Sequence, residues 1–443
     1  MPKKRRWLKV LIGLVIFVIV IVAAFYLMPS ILTAIDPHDD PLSDDSQVRL
    51  QAVSVPNEDN GFFDLSAVTD EMIFEPRGGF LLDYADYKNP VEWNQQEVDE
   101  TLAQSAVALA LFDLAVAKSH FQIPDYADPE NISLETKIYP MSNWRIIARV
   151  QAIKALSLSR ANRPDEALRE AVKINKLGHQ IIVGHNSMIG TLVGISIQQL
   201  GSETILRILP FGTPSTEVLA EVRNTLKNSS DNVEGYRDAF RGEYTNIANT
   251  IQESINQELD ENIQYLVDEG EVSRSYADFV KYGYYYKPNQ TQNLYINLHK
   301  QEIEAIGTKC DLDELGQELQ SNIGEISSGK IVFTENAIGK MLYSLTGLAL
   351  SSVLEKGCEN DLIARVAEIQ LALREYKSEH NILLNDYQPL FSTSPLDPFD
   401  HQPIRYNANK RILYSVGPNK KDVGGSTGDD WTQMENPTFE IKF

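Results

Sequence analysis

The sequence predicts a mainly α-helical protein with a single N-terminal transmembrane helix, an irregular helical bundle or α-solenoid, and a small C-terminal α+β module with a β-hairpin. Three observations carry this. One uncharged apolar run opens the chain, apolar residues recur at three- and four-residue spacing through most of the remainder, and strict alternation is confined to a stretch near the C-terminus. The implied segments are a basic tail (1–9), an anchor (10–28), an acidic linker (29–59), a helical ectodomain (60–355) and the C-terminal module (356–443).

Val10–Met28 is nineteen residues without a charge. At 1.5 Å per residue it spans about 28 Å, close to the hydrocarbon thickness of a bilayer. Trp7 and Tyr26 lie near its ends, where amphipathic rings settle. Lys3, Lys4, Arg5, Arg6 and Lys9 precede the run, and no Lys or Arg follows before Arg49. That asymmetry puts the N-terminus in the cytoplasm and the bulk in the periplasm or outside, anchored in the inner membrane. A cleaved signal peptide is the rival; its apolar core is usually about 7–15 residues and ends in a small-residue cleavage site, and neither feature fits.

The 443 residues include 40 Lys and Arg against 62 Asp and Glu, so beyond the anchor 35 basic residues face 62 acidic ones. Such a surface repels nucleic acid, because phosphate contacts need a positive field. Cations, basic partners and other envelope proteins are the expected company; no small-molecule substrate is identified. Cys310 and Cys358 are the only cysteines. In an oxidising compartment they are disulfide candidates, closing a loop worth at most about 4 kcal/mol. Two separate buried thiols are the other reading.

The linker is rich in Asp, Pro and Ser, and order is expected to begin near Asn60. Ala106–Ala117 is apolar almost all round apart from Asp113, which predicts a buried helix. From Asn143 two helices follow, joined by "ANRPD", with Pro164 at a first helical position and Gly178 near a C-cap. Ala155, Ala167 and Ala171 would let them approach closely. This stretch resembles a single tetratricopeptide-like hairpin, with no second copy at a period near 34. Gly190 and Gly194 have GxxxG spacing in a run too short to span a membrane, which predicts close packing in a bundle. Asp231–Asp268 reads as one long amphipathic helix. The five tyrosines of Lys281–Lys300 read as core rather than as a sugar or peptide platform.

From Asp361 a further helix places Leu362, Val366, Ile369, Leu373 and Tyr376 on one face. Ile404 and Tyr406 then alternate on one strand, "NANK" turns, and Ile412, Tyr414 and Val416 alternate on the return. With Asp397-Pro398, Tyr414-Ser415-Val416-Gly417, Gly424-Gly425 and Asp429-Asp430-Trp431 in that order, residues 361–431 resemble the globular part of the major pseudopilin of type II secretion systems. The chain lacks that family's prepilin signal and the Glu of its apolar helix. The resemblance implies a pseudopilin-like module, association with a type II secretion or pilus-like assembly, and a loop that holds calcium. Asn419, Asp422, Asp429 and Asp430 are the oxygen donors here, and glycines supply the sharp bends a calcium loop needs. A solvated acidic turn, balanced by Lys420 and Lys421, is the alternative.

No catalytic motif is singled out. The seven histidines never stand four apart, and acidic pairs are too common for any one to mark a glycosidase. A non-enzymatic envelope scaffold is therefore the leading expectation. An envelope hydrolase using paired carboxylates on cell-wall glycan is the alternative.

Overall fold

The computed structural model describes residues 39–85, 92–133, 136–137, 139–253, 284, 286–310, 334–425 and 436–443. Val10–Met28 lies outside them. Among the described residues no single helix is long and apolar enough to cross a membrane. The fold is mainly helical with one small three-stranded antiparallel sheet. It divides into two compact units. One is drawn from Met1–Gln47, Ile247–Lys300 and Asp313–Leu350, the other from Val48–Asn246, Gln301–Leu312 and Ser351–Phe443.

In the larger unit the helices are α1 (Phe62–Ser66), α2 (Phe80–Ala85), α3 (Gln95–Gln104), α4 (Ala106–Ala117), α5 (Met141–Arg160), α6 (Pro164–Ile182), α7 (Met188–Ile208) and α8 (Thr216–Asn228). Parts of α9 (Val233–Glu253), α10 (Pro288–Ala305) and α11 (Ala337–His380) complete it. Local chemistry sets the ends. Pro164 opens α6 where a missing N–H costs nothing, and the Ser187 and Ser215 hydroxyls accept from Gly190 N and Val218 N at the starts of α7 and α8.

The α6–α7 pair is the most extensive helix contact in the unit, and glycines make it so. A Cβ on Gly178 would fall 2.3 Å from the backbone nitrogen of Gln198, and one on Gly201 2.4 Å from that of Asn175. Gly194 faces Ile182 and the carbonyl of Gly178. Gly178 is therefore not a C-cap: the helix runs four residues past it, and its bare Cα is what lets α7 approach. The atoms nearest a Cβ on Gly190 belong to its own turn, at Asn186 and Ser187. Ala155, Ala167 and Ala171 are fully buried in the same packing.

One core cluster joins Phe62, Phe112 and Trp144 to Ile174, Leu177 and Ile197. The second joins Leu168, Leu206 and Val222 to Leu362, Val366, Leu413, Phe439 and Phe443. The C-terminal strands thus share a core with α5–α8, and the predicted boundary at 355/356 falls inside α11. The chain ending is built into the helical body because helix and sheet each present one apolar face and the two cover each other.

The sheet orders β1 (Arg405–Asn407), β2 (Ile412–Tyr414) and β3 (Thr438–Glu440), with Tyr406 opposite Leu413 and Leu413 opposite Phe439. β3 was not predicted. Leu413, opposite β3, is fully buried; of the alternating Ile412, Tyr414 and Val416, Ile412 and Val416 are buried too and Tyr414 is half-buried.

Two further expectations are corrected. Residues 39–59 do not form a free tether. In the smaller unit Asp39 accepts from Asn289 N and Gln290 N at 2.7 and 3.0 Å, capping α10 from 250 residues away, and in the larger unit Val48 and Leu50 are buried. An Asp that looks solvated in sequence is as well satisfied by the positive end of a helix. In α4, Phe112 is buried but Val107 and Leu114 are 61% and 52% exposed, so the helix is apolar beyond what packing requires. Within α9, Tyr236, Phe240 and Tyr244 are buried against this chain; the predicted continuation to Asp268 lies outside the described residues.

Replacing Gly178 with Ala should lower the stability of the full-length chain by about 1–3 kcal/mol, although Ala favours helix. Urea unfolding followed by circular dichroism checks this; an unchanged or raised midpoint contradicts the backbone contact.

Candidate functional site

Four polar arrangements in the larger unit bear on function. The first is a buried network across α6, α7, α9 and α11. Gln198, fully buried, accepts at Oε1 from Asn232 Nδ2 (2.8 Å) and Asn360 Nδ2 (2.6 Å), and its Nε2 donates to the Ser229 carbonyl. His179 Nδ1–H donates to Asn232 Oδ1 at 2.9 Å. Burial lowers the His179 pKa against the opposing hydrogen bond, keeping the ring neutral. Tyr236 donates its hydroxyl to Asp361 Oδ1 at 3.4 Å. Burial raises the Asp361 pKa to about 6 although Arg365, 3.8 Å away, opposes it.

A small cleft of about 80 Å³ opens beside that network, lined by Tyr236, Asp361, His401 and the disulfide of Cys310 with Cys358. The two sulfurs are 2.10 Å apart and the Cα atoms 5.8 Å apart. Both predicted cysteines are therefore brought together, in a bridge between α11 and the segment that follows α10.

The third arrangement is the C-terminal loop. Asp397 has no exposed surface; its Oδ1 accepts from Phe399 N and Ser415 Oγ, and its Oδ2 from Val416 N and Arg405 Nη1, all at 2.9–3.1 Å. Arg405 also grips Asp400 and approaches Asp422 Oδ2 at 3.7 Å. Burial is the largest single influence and opposes ionisation of Asp400, but the hydrogen bonds from Arg405 and Gln402 N and the charge of Arg405 together outweigh it and lower the pKa.

Of the predicted calcium donors, Asn419 Oδ1 accepts from Lys421 N and Asp422 Oδ1 from Gly424 N, both at 2.9 Å. Asp422 faces a guanidinium, which repels a second cation. Asp429 and Asp430 lie outside the described residues. The described donors thus do not by themselves fit a metal, and among the described residues no group of three or more His, Cys, Asp or Glu could hold one. What closes the loop is Asn436, whose Oδ1 accepts from Val423 N while its Nδ2 donates to the Lys421 and Val416 carbonyls. Gly424 to Gly428 also spells G-x-S-x-G. A nucleophile elbow needs a strand running into it; Gly424 and Gly425 sit instead in a turn at φ +84° and +83°, and Ser426 lies outside the described residues.

The fourth is a cleft of about 400 Å³ between α8, α11 and residues 390–395. Arg223, Lys227 and Arg365 line it with a single carboxylate, Glu368, and with the hydroxyls of Ser392 and Thr393. Burial raises the Glu368 pKa and the three cations pull it down. Elsewhere, Glu243 and Glu302 are also raised by burial, Glu302 further by its neighbour's charge; Glu302 is fully buried with no hydrogen-bond partner at either oxygen among the described residues.

Sequence reasoning missed Gln198, Asn232, Asn360, Asn436 and the Lys227–Glu368 cleft. The available signal was polar residues in register with the apolar face, such as Gln198 between Gly194 and Gly201. Comparison with protein-family models, curated proteins and solved structures found no match.

The Asp361 carboxyl contributes full stability below its unfolded pKa near 3.8 and loses it as pH rises toward about 6. Asp361→Asn should leave stability unchanged at pH 4 and raise it at pH 8 by up to about 3 kcal/mol. Thermal melts of both proteins at the two pH values check the sign.

Proposed function

We infer that this chain is a membrane-anchored, exported protein of the bacterial cell envelope that acts by presenting binding surfaces to other envelope components. The observation that carries the reading is the Cys310–Cys358 bridge, since such bonds persist where thiols are kept oxidised. The charge asymmetry around Val10–Met28 supports the same side of the membrane. The partner proposed is a type II secretion or pilus-like assembly. It rests on the pseudopilin-like order of Asp397-Pro398, the hairpin and Gly424-Gly425, and Asp397 fastens the first two together through Ser415 and Val416.

The hydrolase alternative lacks comparable support. Each of the two clefts is lined by one carboxylate, Asp361 or Glu368. The Glu243–Glu302 pair has one member with no accessible surface, the reverse of an acid–base couple open to glycan.

A C-terminal alkaline phosphatase fusion to the full chain should be active and a C-terminal green fluorescent protein fusion exported by the same route dark, with the product intact and extracted from membranes only by detergent. Fluorescence, or a product lacking its first thirty or so residues, defeats the reading. Calcium enters the proposal through Asn419, Asp422, Asp429 and Asp430. If they hold it, millimolar calcium raises the melting temperature of the full-length chain and Asp430→Asn abolishes the rise; no shift in the unaltered protein removes calcium from the proposal.

A further inference from the structure

The cleft of about 400 Å³ is of a size that takes small ligands, at the lower end of the usual range. Its charges are not equally committed. Arg223 is held by Glu375 at 3.2 Å, and Arg365 donates to the Leu396 carbonyl at 2.6 Å while lying 3.8 Å from Asp361. Lys227 and Glu368 line the same cavity, sense each other electrostatically, and yet close no ion pair with each other or with any other described residue. An unpaired carboxylate half-buried from water is costly unless something supplies it with a donor. Ser392, Thr393 and Asn224 line the space with side chains that make no hydrogen bond among the described residues, and Leu390, Phe391 and Pro395 form an apolar wall.

An anion alone would satisfy Lys227 and leave Glu368 repelled. A cation alone would satisfy Glu368 and meet three positive groups. A ligand carrying both charges completes the cleft, with the Asn224 amide left over for a peptide backbone. We propose that this cleft binds a short peptide with free ends, its terminal carboxylate held by Lys227 with Ser392 and Thr393, and its terminal ammonium by Glu368. Arg223 and Arg365 are tethered by their own partners and take no part in the ligand's two ion pairs. Leu390 and Phe391 accept small apolar side chains and set an upper limit on their size. The proposal does not depend on the chain's location or on its C-terminal resemblance.

Isothermal titration of the detergent-solubilised full-length protein with tri-alanine should give a dissociation constant of about 1 mM or tighter. N-acetyl-tri-alanine and tri-alanine amide each lose one end and should bind at least tenfold more weakly. Lys227 is exposed and Glu368 half-buried, so neither Lys227→Gln nor Glu368→Gln removes core packing. Each variant should weaken tri-alanine at least tenfold. Glu368→Gln should not alter the residual binding of the N-acetyl peptide, nor Lys227→Gln that of the amide. No heat with tri-alanine at about 10 mM overturns the proposal, as does equal binding of the capped forms or unchanged binding by both variants. Tighter binding of a capped tri-aspartate than of tri-alanine overturns it in favour of an acidic protein segment.

Discussion

The approach of α7 to α6 through Gly178, Gly194 and Gly201 is the constraint on which the larger unit depends. With side chains absent at the crossing, backbone meets backbone, and the polar side chains beside the glycines are forced inward with it. Asn175 donates to Ser202 Oγ at 2.9 Å across the crossing, and Gln198 is left fully buried with both ends of its amide to satisfy. It does so by drawing in Ser229, Asn232 and Asn360. A tight crossing thereby dictates where α9 begins and which face of α11 comes inward. Buried amides of this kind add less net energy than they add uniqueness, because any other register leaves donors unmet.

At the C-terminal end the corresponding role falls to Asp397 with Arg405. One buried carboxylate takes four donors from three segments, the 397–402 turn, β1 and the end of β2. Arg405 in turn pairs with Asp397 and Asp400 and lies 3.7 Å from Asp422, so one positive charge is shared among three carboxylates in this corner. Of the expected calcium donors Asn419, Asp422, Asp429 and Asp430, Asp422 is the one that faces this guanidinium among the described residues. The sheet is not self-sufficient either. Leu413, Phe439 and Phe443 are buried among residues of α6, α7 and α8, so the strands could not keep their apolar face covered if cut away.

The disulfide has a topological consequence. The chain leaves the larger unit after Leu312 and re-enters at Ser351, and Cys310 and Cys358 lie just before the exit and just after the return. The bond, between cysteines 48 residues apart, encloses that segment at its base. It removes conformational freedom from the unfolded chain by holding Cys310 and Cys358 together there, the entropic origin of disulfide stabilisation.

The sequence by itself determined the helical class, the position of the hairpin, the start of α6 at Pro164 and the tight packing of a glycine-rich α7, because these follow from nearest neighbours in the chain: spacing, caps and turn residues. It also marked the two cysteines, and Asp397 through the Asp-Pro motif of the pseudopilin resemblance. It misjudged residues 39–59, the outward face of α4, the role of Gly178 and the independence of the C-terminal module. In each case composition was read as if the segment faced water or itself. Tertiary structure alone decided that Asp39 caps a helix 250 residues away, that a third strand buries Leu413, that Gln198 joins four segments, and that Lys227 and Glu368 share a cleft. Those outcomes depend on which surfaces meet after collapse. Partners separated by a hundred residues or more leave no periodicity in the chain to announce them.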